Sequence, residues 1–100
     1  MDCFKASIPI LKVLCDETRL SILSMLSHTD MNGCEINRAF ACTQPTISYH
    51  MKLLVDAGLV RPRKEGCAVI YSINMELWPE IRAFLDALCS AAQPKGVSND

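Results

Sequence analysis

Six cysteines, at positions 3, 15, 34, 42, 67 and 89 of a 100-residue chain, are the side chains with the most chemistry to offer. A thiolate is a soft ligand that also oxidises reversibly, so the set suits thiophilic ions or redox signals better than hard cations. No Cys-x-x-Cys occurs, which argues against a zinc knuckle or a thioredoxin-like pair. An even count is compatible with disulfides, but Met1-Asp2-Cys3-Phe4-Lys5 lacks the basic start and long apolar stretch of a secretory signal. No apolar run approaches the roughly 20 residues that span a bilayer. A cytoplasmic protein without membrane association is expected.

A second constellation is Thr43-Gln44-Pro45-Thr46-Ile47-Ser48-Tyr49-His50-Met51-Lys52-Leu53-Leu54. Pro45 fits only the first turn of a helix, with Thr43 as N-cap, and Gly58 in Ala57-Gly58-Leu59 is a natural left-handed stop. Ile47, Met51, Leu54 and Val55 form the buried stripe, leaving Gln44, Thr46, Ser48, Tyr49 and His50 outward, where each can hydrogen-bond to base edges or phosphates. The net charge of −1 argues against a nucleic-acid partner, but its distribution does not. Residues 44–71 hold Lys52, Arg61, Arg63 and Lys64 against Asp56 and Glu65, while the rest of the chain is acidic. A local basic patch can grip phosphate, and one this weak is expected to be doubled in a dimer.

The elements that position these residues follow from periodicity. Residues 1–7 read as an arm, 8–90 as one domain and 91–100 as a loose tail. Ser7 is the expected cap of a helix over Ile8 to Leu14, with Pro9 in its first turn, and Asp16 the cap of a second helix burying Leu20, Ile22, Leu23 and Leu26. His28 to Gly33 reads as a loop, and Cys34 to Ala41 as a third helix burying Ile36, Ala39 and Phe40. After the fourth helix the period changes to two: Leu59 to Lys64 and Cys67 to Ile73, joined at Glu65-Gly66, form a hairpin, with Pro62 marking an edge strand. Met75 to Cys89 is a last helix whose stripe of Leu77, Ile81, Phe84, Leu85 and Leu88 is too broad to hide alone, so a homodimer through the first and last helices is expected. The fold class is mainly α with a β-hairpin, a winged helix-turn-helix: the fourth helix enters the major groove and Arg61, Arg63 and Lys64 of the wing meet the backbone.

The residues Leu11 to Leu23, Thr43 to Leu54, Ala57-Gly58-Leu59-Val60 and Arg63-Lys64-Glu65-Gly66 followed by Ile70-Tyr71 resemble, in order, the ArsR/SmtB metalloregulators. The resemblance implies a homodimeric repressor that binds operator DNA in its apo form and releases it when an inducer binds. It places Gln44, Thr46, Ser48, Tyr49 and His50 on the recognition helix, joined by Lys52, and Arg61, Arg63 and Lys64 on the wing. Arg19 is expected to be a structural hydrogen-bonding residue.

The signal is less typical. Arsenic and cadmium sensors of the family carry a Cys-x-Cys near the third helix; Cys34 matches one such position, but Asn32, Ile36 and Asn37 fill the neighbouring ones. Zinc and nickel sensors use the last helix, which offers Glu76, Glu80 and Asp86 here but no histidine; His28 is expected to be a solvated loop residue. Thiols remain, as ligands of trivalent arsenic or antimony. Cys34 with Cys3 of the partner, or Cys15 with Cys89, are the expected sets, and each cysteine is equally readable as a small buried hydrophobe. A reversible disulfide formed by oxidants or polysulfide is the alternative signal. No permanent cofactor is expected, and an enzyme is disfavoured because no cysteine has an evident base beside it.

Overall fold

A computed structural model of the chain describes residues 2–91, with side chains for residues 7–90. The order is α1 (Asp2–Leu14), α2 (Glu17–Leu26), β1 (Met31–Asn32), α3 (Gly33–Arg38), α4 (Gln44–Asp56), β2 (Val60–Glu65), β3 (Ala68–Ile73) and α5 (Trp78–Ala91). The antiparallel sheet has the strand order β1-β3-β2. The fold is the expected winged helix-turn-helix, with one more strand than the hairpin.

The first helix departs from its expected start. It begins at Asp2 rather than after an arm of seven residues, so Ser7 is an interior residue and Pro9 sits beyond the first turn. A proline there costs about 3 kcal/mol in an isolated helix. Packing outweighs that penalty: Ile10, Val13 and Leu14 lie against the core, and α1 packs on both α2 and α5. Residues 92–100 of the expected tail, and the side chain of Cys3, lie outside the described residues.

Asp16 caps α2 as expected, in extended backbone (φ −156°, ψ 131°), its Oδ2 accepting the Arg19 N–H at 3.0 Å. Ile22, Leu23 and Leu26 are buried, whereas Leu20 is half exposed, contrary to expectation. Where a loop was expected, Met31 pairs with Tyr71 and Asn32 with Ile70 to make β1. Asn32 then caps α3 in a reciprocal box: Glu35 N–H donates to Asn32 Oδ1 at 2.8 Å and Asn32 N–H to Glu35 Oε1 at 2.9 Å. That box starts α3 a residue early, and it ends at Arg38, leaving Ala39 exposed and Phe40 half-buried.

Thr43 is the N-cap of α4 in backbone geometry, but its hydroxyl meets the Thr46 hydroxyl at 3.0 Å rather than a backbone N–H. The C-terminus is closed more tightly. Leu59 N–H donates to Leu54 C=O, Gly58 N–H donates to Val55 C=O, and Gly58 takes φ +82°, which together make a Schellman motif. Its apolar partners Leu54 and Leu59 are both fully buried, so the stop is also a core contact. The chain passes straight into β2, an edge strand in which Pro62 faces Tyr71. The hairpin turns at Gly66 and Cys67, one residue later than expected, with Gly66 at φ +64°. The last helix begins at Trp78, three residues late, because the Asn74 side chain organises a turn first: it donates to Gly58 C=O at 2.7 Å and accepts the Glu76 N–H at 3.1 Å.

The core is Ile22, Leu23, Leu26, Ile36, Ile47, Met51, Leu54, Leu59, Val60 and Ile81. It joins α2, α3, α4, β2 and the first turn of α5, and so fixes α4 against the hairpin. No helix among the described residues is long and apolar enough to cross a membrane.

Candidate nucleic-acid interface

The buried stripe of α4 leaves Gln44, Thr46, Ser48 and Tyr49 in a row on its exposed face, Tyr49 with 59% of its surface open. Lys52 lies on the same side, in an i,i+4 pair with Asp56 at 3.1 Å. On the wing, Arg61 pairs with Glu76, and Arg63 bonds Glu65 at 2.7 Å and Asp30 at 3.0 Å. Those carboxylates, Glu65 first, hold the Arg63 guanidinium protonated even more firmly than usual. Among the described residues Lys64 has no ion-pair partner. The face is thus polar on the helix and cationic on the wing, with acceptors and donors for bases beside charges for phosphates.

His50 departs from the expected outward row. Its side chain is only 12% exposed and turns toward the start of α2, with Nδ1 3.0 Å from Arg19 Nη1 and 4.0 Å from Asp16 Oδ2. A guanidinium only donates, so Nδ1 accepts and the ring proton sits on Nε2. Arg19 also donates from Nε to the Val13 carbonyl at 2.6 Å, the structural part expected of it. The same cluster lowers the Asp16 carboxyl below its ordinary 3.8: the Arg19 backbone N–H stabilises the carboxylate, partial burial opposes this, and the guanidinium adds attraction. Spacing could have signalled the inward turn. His50 lies three residues after Ile47 and four before Leu54, on the buried side of the helix.

The cysteines are scattered. Cys15, Cys34, Cys67 and Cys89 are exposed and Cys42 is partly buried. Among the described residues no three Cys, His, Asp or Glu side chains converge on a metal-sized site. Two-thiol or inter-protomer ligation remains open to these residues. Cys34 and Cys67 line one groove of about 860 Å³ between α3, α4 and the wing turn, which sequence reasoning missed because it brings positions 33 residues apart together. Asn37 lines it too, and its Oδ1 is buried without a hydrogen-bond partner among the described residues.

A helix with a polar outer face, braced on a second helix and followed by a cationic hairpin, defines a winged helix-turn-helix protein. The family model described as bacterial regulatory protein, arsR family, matches residues 16–61. The chain is 41% identical over 90 residues to the arsenical resistance operon repressor of Staphylococcus xylosus, covering 90% of this chain and 86% of that one. It belongs to the ArsR family of bacterial regulatory proteins. A crystal structure of an ArsR family transcriptional regulator superposes with a TM-score of 0.80 at 25% identity, covering 87% of this chain and 90% of the other. The homodimeric winged helix-turn-helix DNA-binding domain of a possible ArsR-family regulator from Mycobacterium bovis, at 23% identity, shares the fold with a TM-score of 0.71 over 97% of this chain and 90% of that one.

Proposed function

We propose that the protein is a cytoplasmic, homodimeric transcriptional repressor that holds operator DNA through α4 and the wing and lets go when a thiophilic inducer, As(III) or Sb(III), binds cysteine thiolates. The observation that carries the reading is the exposed row Gln44, Thr46, Ser48 and Tyr49 on α4, which runs through the Gly58 stop directly into the strand that carries Arg61, Arg63 and Lys64. The inducer class is supported by the repressor of Staphylococcus xylosus, named for arsenical resistance, and by the exposure of Cys15, Cys34 and Cys89. These three and Cys3 are the proposed ligands. Dimerisation through α1 and α5 is supported by their open apolar residues, Ile8, Leu85 and Leu88, each exposed by more than two fifths.

Fluorescence anisotropy on an operator duplex selected from a random pool tests both halves. Nanomolar, salt-dependent binding that collapses on adding arsenite is the expected result; undiminished binding under excess arsenite removes that inducer. The exposed thiols also favour a second reading, a reversible disulfide switch. Intact-mass measurement after mild oxidation decides it, since the reading requires a loss of two hydrogens per bridge together with lost operator binding.

A further inference from the structure

We propose that Cys34 and Cys67 of the same protomer form a two-thiol site for trivalent arsenicals in the groove between α3, α4 and the wing turn, a site that rests on the thiol-inducer reading above but gives Cys34 the wing-turn thiol as its partner in place of Cys3. Topology carries the two to one groove. Strand β1 runs antiparallel to β3, from Tyr71 toward Ile70, and therefore heads for the hairpin turn. It leads at once into α3, whose Cys34 lines the same groove as Cys67 of the turn. Both thiols are exposed and both open into the same groove. The turn is open to approach at Gly66, where an added side-chain carbon would meet nothing within 4 Å.

The chemistry balances without a redox partner. Arsenous acid, As(OH)3, reacts with two thiols to give a bis-thiolate hydroxide: two As–S bonds form, two As–O bonds break, and each departing hydroxide leaves as water with a thiol proton. Arsenic stays trivalent. One hydroxyl remains on it as a hydrogen-bond donor, and Asn37 Oδ1 in the same groove is an acceptor without a partner among the described residues. Gln44, Ser48 and Lys52 of α4 line this groove as well. An arsenical held there ties the wing turn to α3 and sits among residues proposed to meet DNA, so ligation and operator binding compete directly.

Peptide mapping after one equivalent of phenylarsine oxide per protomer tests the pairing without DNA. Each arsenical should bridge two thiols with loss of one water, linking the Cys34 and Cys67 peptides, while Cys15, Cys42 and Cys89 still react with iodoacetamide. Bridging of any other pair, or continued alkylation of Cys34 and Cys67, overturns the site. Operator release by sodium arsenite gives the second readout: Cys67→Ser should raise the concentration for half-release by about tenfold or more, as allosteric couplings of this class allow. Release at the wild-type concentration in a Cys34→Ser, Cys67→Ser double variant overturns the site and leaves the repressor reading standing. If arsenite fails to release the wild type, that reading falls, and the phenylarsine oxide map still decides the pairing.

Discussion

The α2–α4–wing unit and the α1–α5 pair are finished to different degrees. In the first, Leu54, Leu59 and Ile22 are fully buried, and three polar contacts brace it: Asp16 to Arg19, Arg19 to His50, Asn74 to Gly58. In the second, Leu85 and Leu88 stand 46% and 43% exposed on α5, with Ile8 at 48% on α1. Apart from Leu20, half exposed on α2, the first region closes its apolar residues within a protomer; the second presents apolar surface suited to a second copy. On the proposed reading, the face meant for DNA rests on the closed core and the face meant for assembly is the open one.

The sharpest test sets one leucine against another. Leu54→Ala should cost about 2–5 kcal/mol of unfolding free energy, the range for a fully buried leucine, measured by urea denaturation. Leu88→Ala should barely alter the stability of a dilute monomer and should instead weaken self-association in sedimentation. Equal losses of monomer stability would break the comparison. Next in size, Tyr49→Ala should reduce operator affinity by about 1–3 kcal/mol if the exposed ring reads a base, with little change in melting temperature.

Gly58→Ala probes the joint between helix and wing. At φ +82° an L side chain is strained by about 1–2 kcal/mol, while the added carbon lies at an ordinary 3.7 Å from Leu77 Cδ2, so strain alone sets the loss. The smallest effect concerns pH. Because folding lowers the Asp16 carboxyl from its ordinary 3.8, its contribution is present above that value and disappears as pH falls through the lower folded value. Asp16→Ala should therefore cost about 1 kcal/mol near neutrality, as lost N-caps do, with the gap from wild type closing in strong acid. A gap that stays constant down to pH 2 would show that the cap's charge contributes nothing.

Features governed by neighbouring residues were legible in the sequence: the Asp16 cap, Pro45 in the first turn of α4, the Gly58 stop and the alternation of the hairpin. Strand β1 was not, because two residues become a strand only through partners 38 to 40 positions away, at Ile70 and Tyr71. Leu20 and His50 were misplaced for one shared reason. The buried face of α2 passes through residues 19, 22, 23 and 26, and that of α4 through 47, 50, 51 and 54, so a polar residue occupies one place on each. Composition alone sends Arg19 and His50 outward and Leu20 inward. Across the packed helices the two polar residues satisfy each other, which a single helix cannot reveal. The exposed row of α4 could be listed from sequence, whereas the meeting of Cys34 with Cys67 on one groove required the sheet.

The wing arginines proposed to meet DNA are already engaged within the protomer. Glu76 holds Arg61, and Glu65 and Asp30 hold Arg63, so on the proposed reading a phosphate would have to displace a carboxylate already in place. Such exposed pairs are weak and yield readily where the surrounding contacts also fit. On arbitrary sequence the exchange brings charge for charge and little else. Internal acids of this kind would shorten each idle stay on the chromosome and flatten the salt dependence below what the number of cations suggests, letting a near-neutral protein search quickly and settle selectively.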